Sequence, residues 1–346
     1  MNNIKVITYG GYYSTGGSII RDMFREFEPN FELSIEFRLL KEHYGLLDLE
    51  RVIFDDYAPE NIDLAIRDFI WLANNLARKS GRLRKAGFSY DEKTCGAFSK
   101  ATQYFIEQIT DYEYPMSWHF DDFKRSYVSQ ILRRTVKKLF IKNVRKNQSK
   151  SSARLAYPSR EKYIYQAQRY MNSILSGIQK YNKSGEDSVV GLHNAIPLFS
   201  MDQINKSLAY FSSCKIIIVD RDPRDVFMNY PKDSYGRYVP LKTNLVEKAK
   251  GFIHFYKSIR KNQKEVAQHP NVMLLKFEDV CLDFNSYYNR IINFAELDIN
   301  LHKKKGTIFS PKNSVKNIGM WKESKGELAT AISLIEENLS EYLNDF

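Results

Sequence analysis

The sequence predicts an α/β fold in which helices flank a parallel sheet and a large helical insertion interrupts it. A short β-branched run at residues 4–9 leads through a glycine-containing turn into a helical pattern. Helical periodicity dominates residues 46–183, and short apolar runs alternate with helical patterns after residue 187. Strands that alternate with helices are typical of parallel sheets, because parallel neighbours need crossover connections.

Length and composition indicate an ordinary globular chain. Its 346 residues are 43% hydrophobic and 27% charged, and we expect one domain over residues 1–346. The first residues lack the pattern of a signal peptide, and no stretch approaches the roughly 18 uninterrupted apolar residues of a membrane span. A cytoplasmic location is therefore the default expectation. Three scattered cysteines (Cys95, Cys214 and Cys281) predict neither a disulfide nor a metal site.

The first 40 residues predict a strand, a tight loop, a helix and a second strand. Residues 4–9 form the first strand, and residues 31–40 contain the second. The helix begins at Ser18, and its apolar positions have helical spacing: Ile19, Ile20, Met23, Phe24 and Phe27.

Residues 46–183 are predicted to be helical and to lie between the second strand and the later ones. One apolar stripe contains Ile62, Ile66, Phe69, Ile70, Ala73 and Leu76. Other stripes contain Phe105, Ile109, Val128, Ile131, Leu132 and Val136. The stretch KNQSKSSAR predicts a flexible loop, after which residues 159–181 resume a helix. The block is therefore an insertion in the sheet.

Three later strands complete the predicted sheet. Their apolar runs lie in DSVVGLHNAIP, CKIIIVDRDPRD and NVMLLKFEDV. Helical patterns at residues 201–211 and 245–260 separate them, as expected for crossover helices.

Positive charge is concentrated in one segment. Residues 133–162 contain eleven Lys or Arg and one acidic residue, Glu161, in a chain whose net charge is +11. Such a segment favours a polyanionic partner, which includes nucleic acid, an acidic glycan, a membrane surface or a phosphorylated cofactor. The alternative is a solvated helix face followed by a loop.

The first motif is an anion-binding pattern. From Gly11 the chain reads G-Y-Y-S-T-G-G-S, which matches the P-loop pattern G-x-x-x-x-G-K-[ST] with Gly17 in place of the lysine. In a strand–loop–helix unit, consecutive backbone N–H groups surround an oxyanion. Gly16 and Gly17 permit close approach, and Ser18 offers a hydroxyl. The alternative is a plain strand-to-helix turn. Because the match follows the first strand, it favours an anion site in a P-loop NTPase-like sheet.

The second motif is RDPRD, which follows the strand KIIIV. Helix capping explains Asp222, Pro223 and Asp225, since an acidic cap precedes a proline at the first helical position. Capping does not explain Arg221, which lies at the carboxyl end of a predicted parallel strand. Ligands of such sheets bind at this edge, and a guanidinium suits phosphate.

These two motifs resemble the sulfotransferase family, whose enzymes transfer a sulfuryl group from 3'-phosphoadenosine 5'-phosphosulfate (PAPS) to a hydroxyl or amine. In that family a [KR]-S-G-[TS]-T loop holds the 5'-phosphosulfate. An R-[DN]-P-x-D helix start holds the 3'-phosphate, together with a serine eight residues after the arginine. Here the loop reads S-T-G-G-S at residues 14–18, the arginine is Arg221, and Asn229 occupies the serine position.

Two further stretches resemble the family and extend the resemblance to residue 322. LLKFEDV is similar to its L-x-Y-E-D-L strand end, and NIGMWK is similar to its C-terminal G-x-W-K segment. Lys312 and Lys316 precede that segment, where basic residues cover the cofactor in the family. The resemblance implies PAPS as co-substrate, no metal, and these cofactor-binding residues: Ser14, Thr15, Gly16, Gly17, Ser18, Arg221, Asn229 and Lys316.

The resemblance has one clear departure in the first loop. The family's basic residue is Ser14 here, so positive charge on the 5' side must come from elsewhere. Arg21, one turn into the first helix, matches a basic position of the tyrosylprotein branch and is the catalytic candidate; the alternative is a surface arginine.

A base must accept the proton of the attacking acceptor group. His193 resembles the histidine of the K-T-H segment in the cytosolic enzymes, although Gly191 replaces the lysine. Glu36 resembles early glutamates of the tyrosylprotein and heparan branches, and Arg38 follows it as in the former. Either residue is a candidate, and each has a structural alternative as an ordinary hydrogen-bonded side chain.

The sequence thus predicts a PAPS-dependent O-sulfotransferase whose insertion, residues 46–183, forms the acceptor pocket. The basic and aromatic insertion favours a carbohydrate or glycolipid acceptor, with a sterol or other apolar alcohol as the alternative. A P-loop kinase is disfavoured because Gly17 removes its lysine. A polyanion- or nucleic-acid-binding protein remains the alternative of another class, with Tyr157, Tyr163 and Tyr165 interleaved among the basic residues.

Overall fold

The computed structural model describes residues 3–79, 87–116, 118, 131, 152–185, 188–229 and 244–344. Its strands, numbered in chain order, are β1 Lys5–Gly11, β2 Glu32–Glu36, β3 Tyr112–Tyr114, β4 Ala153–Leu155, β5 Val190–His193, β6 Ser213–Asp220 and β7 Val272–Lys276. Within these residues a parallel sheet of five strands has the order β2-β5-β1-β6-β7. The other two strands, β3 and β4, pair antiparallel. The predicted parallel sheet is confirmed.

The helices connect the strands and cover both faces of the sheet. Those up to β5 are α1 Ser18–Phe24, α2 Leu46–Phe54, α3 Pro59–Ala77, α4 Tyr90–Lys93, α5 Ala97–Ile109 and α6 Arg160–Asn182. Those after β5 are α7 Met201–Leu208, α8 Pro223–Asn229, α9 Leu245–Arg260, α10 Gln263–Val266, α11 Phe277–Leu282, α12 Phe284–Ala295, α13 Pro311–Ser314 and α14 Glu327–Asn338.

Side-chain alternation along the strands divides the core into two layers. In β6, Ile216 and Ile218 pack into one cluster, whereas Ile217 and Val219 pack into the other. The first cluster includes the apolar stripes of the insertion helices, and the second includes those of α1, α11 and α12. Since successive side chains of a strand point to opposite faces, the sheet is buried on both sides, as parallel sheets generally are.

The described part of the insertion is mainly helical, as expected, but the prediction missed a short hairpin within it. Residues 153 and 154 of the expected loop KNQSKSSAR belong to β4, which pairs with β3. The pairing is far from local in sequence, and a cross-strand ion pair between Arg154 Nη2 and Glu113 Oε1 (3.3 Å) supports it. The apolar stripe from Ile62 to Leu76 lies largely in the core. Of the other stripe, Val128, Leu132 and Val136 lie outside the described residues.

Candidate active site

The two predicted motifs lie side by side at the carboxyl edge of the sheet. β1 and β6 are adjacent, with Gly11 in register with Val219, so the loop after β1 begins beside the end of β6. β1 also marks the place where the strand order reverses, because β2 and β5 lie on one side and β6 and β7 on the other. Ligands of open α/β sheets bind at such a switch point.

The loop after β1 is fastened to β6 through Thr15. The buried Thr15 hydroxyl donates to the Val219 carbonyl (2.6 Å) and accepts the N–H of Tyr12 (3.1 Å). Its side chain therefore shapes the loop, and only its backbone remains as a candidate ligand. Ser14 and Ser18 are exposed on the loop, and Ser14 has a positive φ of 52°. The structure thus presents Ser14 and Ser18, but not the Thr15 hydroxyl, on the outer side.

Gly16 brings the loop into contact with the chain after β7. Its φ is +89°, and a Cβ built on it would lie 2.4 Å from the Phe277 ring. A Cβ on Gly17 would meet the Gly10 backbone at 2.9 Å. Both glycines are therefore required by close packing as well as by any ligand.

Arg221 packs on the same ring. Its guanidinium carbon is 4.7 Å from the centre of the Phe277 ring, and its Nη2 donates to the Asn317 carbonyl. The residue is 5% exposed, yet its Nε–H is buried and has no hydrogen-bond partner among the described residues. Burial lowers the pKa of Arg221, and Asp225 and Glu278 oppose this shift. A buried cation with an unsatisfied donor is the arrangement expected of an anion ligand.

The rest of the RDPRD motif binds the protein itself. Asp222 caps α8 by accepting the Arg224 N–H (2.8 Å) and also accepts from the Arg224 guanidinium (2.7 Å), as its predicted capping role requires. The Arg224 guanidinium also donates to the Glu336 carboxylate (2.9 Å). Asp225 accepts the N–H of Gly319 (2.7 Å), so it fastens the C-terminal segment rather than only its own helix.

The C-terminal NIGMWK segment therefore covers the second motif. Asn317 contacts Arg221, and the Trp321 ring lies 3.7 Å from the Arg224 guanidinium carbon. Lys316 is exposed on the 3-10 turn Val315–Asn317, next to Asn317. Asn229 ends α8, and its side-chain amide makes only a long contact (3.5 Å) with the Asp225 carbonyl of its own helix. Roles for Lys316 and Asn229 in binding a ligand stay predictions.

The three predicted catalytic residues lie close together on the other side of the loop. Glu36 and His193 are the last residues of β2 and β5 and are in register with each other. Burial lowers the pKa of His193 to about 4; Glu36 raises it, and Arg21 and Lys41 lower it further. Arg21 is half-exposed and pairs with Asp22 (3.1 Å). The imidazole of His193 is therefore neutral near pH 7 and sits in the field of both Arg21 and Glu36.

Glu36 is held as a carboxylate. Arg38 Nη2 (2.5 Å), Lys41 Nζ (3.0 Å) and the Asn194 amide (3.2 Å) all donate to its oxygens. Burial raises the pKa of Glu36, but the charges of Lys41 and Arg38 outweigh burial, so the pKa lies below its ordinary value. Both base candidates are unprotonated near pH 7, as a general base must be, and Glu36 is in addition engaged by three donors.

Four residues of this site were missed by sequence reasoning. Phe277 and Asn317 organise the Arg221 side, and Lys41 and Asn194 organise the Glu36 side. Only Phe277 carried a signal, since it occupies the aromatic position of the FEDV strand end. The others contact the site through long-range packing that no local pattern reports.

The basic segment is only partly described, since residues 133–151 lie outside the described ranges. Its described cations are paired: Arg154 with Glu113, Arg160 with Glu50 and Lys162 with Asp111. Tyr163 is fully buried, so its predicted place among exposed stacking residues is wrong. A polyanion-binding role for residues 133–162 stays a prediction and gains no support from the described part.

The described residues contain neither a candidate membrane-spanning helix nor a candidate metal-binding cluster. No helix in the described ranges has the length and apolar character needed to cross a membrane. Among the same residues, no group of three or more His, Cys, Asp or Glu is placed to hold a metal ion.

Comparisons with known proteins give weak structural likenesses only. No family model and no curated protein matches the sequence. Three similar solved structures are sulfotransferases. The sulfotransferase domain of the curacin biosynthetic pathway has 10% identity, covers 99% of this chain and 100% of its own, and gives a TM-score of 0.45. The sulfotransferase domain of the Synechococcus PCC 7002 olefin synthase has 10% identity, covers 95% of this chain and 93% of its own, and gives a TM-score of 0.39. The sulfotransferase STF9 from Mycobacterium avium has 13% identity, covers 99% of this chain and 78% of its own, and gives a TM-score of 0.38. At these values the likeness does not establish a function for this chain.

The contact between Gly16 and Phe277 can be tested by unfolding. Gly16→Ala meets both the positive φ, which costs about 1 to 2 kcal/mol, and the ring, whose displacement costs about 1 to 3 kcal/mol more. Gly96→Ala is the matched control, because Gly96 has a φ of +78° and open space around its Cβ position. Urea denaturation should show a clearly larger loss of stability for Gly16→Ala. Equal losses would mean that Phe277 does not require Gly16.

Proposed function

We propose that this chain is an enzyme, a PAPS-dependent sulfotransferase that transfers a sulfuryl group to an acceptor hydroxyl. Arg221 carries the proposal. It is a buried guanidinium with an unpartnered Nε–H, and it packs on the ring that also contacts Gly16 of the loop after β1. A second anion-binding element thus lies one aromatic ring away from the first, which suits a ligand with anionic groups at both ends.

The residues present fit PAPS. The loop offers backbone N–H groups from Thr15 to Ser18 for the 5' group, and packing keeps Gly16 and Gly17 free of side chains. On the other side Arg221 binds the 3'-phosphate, and Asn229 and Lys316 are its helpers by resemblance to the family. The Gly17 position also accords with this ligand, because a P-loop lysine serves the β/γ phosphates of a triphosphate, which PAPS lacks.

His193 is the base in this proposal, and its neighbours assist it. Its neutral imidazole accepts the proton of the acceptor hydroxyl, and the Glu36 carboxylate stabilises the imidazolium that forms. When bound, PAPS supplies an activated sulfuryl group with adenosine 3',5'-bisphosphate as the leaving group. In this proposal Arg21 and the loop N–H groups stabilise the negative charge that accumulates on the leaving group, and they take the place of the basic side chain absent at Ser14. The charges of Arg21 and Lys41 both act on His193, which supports a positive field at this site.

We propose a carbohydrate or glycolipid acceptor, bound by the insertion. What supports a polar acceptor is a cavity of about 660 Å³ between α3 and α5, which Asn74, Thr102, Gln103 and Arg154 line together with apolar side chains. Phe98, also in its wall, packs on Tyr90 (5.1 Å), whose hydroxyl donates to the Glu36 carbonyl (2.8 Å). Phe98 and Tyr90 are both buried, so this is a connection through the packed core and not an open path from the cavity to the candidate base.

Calorimetry with three ligands tests the class of activity. We expect binding of adenosine 3',5'-bisphosphate without added metal, and no binding of ATP with Mg²⁺ or of a short oligonucleotide. Binding of the oligonucleotide alone would replace the proposal with a nucleic-acid-binding role.

Labelled PAPS incubated with separate glycan and lipid extracts would then identify the acceptor, and label only in sterols would overturn the carbohydrate assignment.

The two arginines of RDPRD should separate binding from stability. Arg221→Met removes the unpartnered donor and should weaken adenosine 3',5'-bisphosphate binding by about 10- to 150-fold, since hydrogen bonds to charged groups contribute about 1.5 to 3 kcal/mol. Arg224→Met instead leaves Asp222 and Glu336 without their cation. It should lower the unfolding midpoint and retain most of the affinity of the folded protein. Near-normal affinity in Arg221→Met would refute the assignment.

The protonation of His193 predicts the pH dependence of kcat/KM, which reports the free enzyme. Because the pKa is lowered to about 4, the imidazole is neutral above that pH. We therefore expect kcat/KM to be flat from pH 6 to 8 and to fall only as pH decreases toward about 4. His193→Ala should lose turnover by about 10²- to 10⁴-fold at saturating PAPS, a typical contribution of a general base. Glu36→Gln should lose less; retained turnover in His193→Ala combined with a larger loss in Glu36→Gln would assign the base to Glu36.

A further inference from the structure

Arg260 is a buried arginine that contacts residues next to both proposed anion-binding elements, the loop after β1 and Arg221. It ends α9, and its side chain is fully buried. Its Nη2 donates to Asp220 Oδ1 at 2.5 Å, and Asp220 is the last residue of β6, directly before Arg221. The guanidinium carbon lies 3.4 Å from the centre of the Tyr256 ring and 5.0 Å from that of Tyr12. One cation thus contacts three residues that belong to, or lead into, the site.

Two of these contacts continue to the proposed ligand-binding groups. The Tyr256 hydroxyl donates to the Arg221 carbonyl (3.1 Å). Tyr12 opens the loop after β1, and its N–H donates to the Thr15 hydroxyl that fastens this loop to β6 (3.1 Å). Arg260 therefore reaches Arg221 through Tyr256 and Asp220, and it reaches the loop through Tyr12.

Stability alone accounts poorly for this arginine. Removing a guanidinium from water costs several kcal/mol, and one buried ion pair often fails to recover that cost. Within the described ranges, Arg260 Nη1 is in addition buried without a hydrogen-bond partner. Apolar residues of similar volume often serve as well or better at such positions. The contacts with Tyr12, Tyr256 and Asp220 instead fix the relative positions of the two elements.

We propose that Arg260 is a positioning residue that holds the loop after β1 and the backbone of Arg221 in one anion-binding geometry. Arg260 itself touches neither the 5' nor the 3' group. The inference rests on the proposed function only for the identity of the anion; the coupling between the two elements is a property of the chain.

A double variant separates positioning from burial of charge. Arg260→Met leaves Asp220 without its arginine, so it should lose both stability and ligand affinity. Arg260→Met/Asp220→Asn removes both charges and should recover most of the unfolding midpoint. If Arg260 positions the site, the double variant still binds adenosine 3',5'-bisphosphate at least tenfold more weakly than the unchanged protein. Recovery of affinity together with stability would overturn the proposal.

A single hydroxyl tests the connection to Arg221. Tyr256→Phe keeps the ring over Arg260 and removes only the donor to the Arg221 carbonyl, and we expect a three- to tenfold loss of affinity for the bisphosphate. Tyr163→Phe is the matched control, because the Tyr163 hydroxyl is equally buried and donates to a backbone carbonyl, that of Leu46 (3.0 Å), in the insertion. Equal affinities in the two variants would contradict the connection.

Amide hydrogen exchange tests the positioning role of Arg260 without any ligand. Amides of residues 12–17 should exchange at least tenfold faster in Arg260→Met/Asp220→Asn than in the unchanged protein, whereas amides of α5 should be unaffected. Unchanged exchange in the loop would overturn the positioning role. If the unchanged protein binds no bisphosphate but loop exchange accelerates as expected, the proposed function fails and the positioning role stands.

Discussion

The contact of the Phe277 ring with the Gly16 backbone is the constraint on which the candidate site depends. The ring fills the space where a side chain of residue 16 would lie, and the Arg221 guanidinium packs on the same ring. Interiors are packed closely enough that such a ring fixes its neighbours within a few tenths of an ångström. The loop after β1 and the chain after β6 are therefore held at one distance from each other, although they are about 200 residues apart in sequence.

The charged residues at the end of β6 differ in how fully they are paired. Asp220 is paired with Arg260, and Asp222 is paired with Arg224. Arg221 lies between these two pairs and has a backbone carbonyl as its hydrogen-bond acceptor, which satisfies the guanidinium only in part. Under the proposed function, this incomplete satisfaction suits Arg221 to an anionic ligand. Asp220 and Asp222 are each paired with another arginine, and the charges of Asp225 and Glu278 act on Arg221 most strongly among the nearby groups.

The other half of the site depends on the strand order. Because β5 lies between β2 and β1, His193 is placed beside both Glu36 and the loop after β1. The Asn194 side chain donates to Glu36 and also occupies the space above Gly10, where a Cβ would lie 2.1 Å from its Oδ1. The carboxylate is therefore tied to the end of β1. This arrangement gives His193 a low pKa by burial, together with a nearby negative charge that suits the imidazolium form.

Local patterns were sufficient for the parts of this protein that depend on neighbouring residues. Strand–loop–helix order, the apolar periodicity of most helices and the cap at Asp222 follow from short stretches whose backbone conformation is largely a local property. Gly16 and Arg221 became candidates through their places at predicted strand ends, and His193 and Glu36 through the family resemblance. The β3–β4 hairpin did not follow, because its pairing joins residues about 40 positions apart through contacts that leave no periodic signal. The buried position of Tyr163 was missed for the same reason.

The sequence by itself determined that a glycine-rich loop and an arginine would stand at the carboxyl ends of two strands of a parallel sheet. Only the tertiary structure decided that these strands are adjacent, that Phe277 joins the loop to Arg221, that Thr15 turns its hydroxyl inward, and that Arg260 lies behind both. The physical reason is that strand order and side-chain packing are set by burial of the whole chain, whereas each motif specifies only its own backbone.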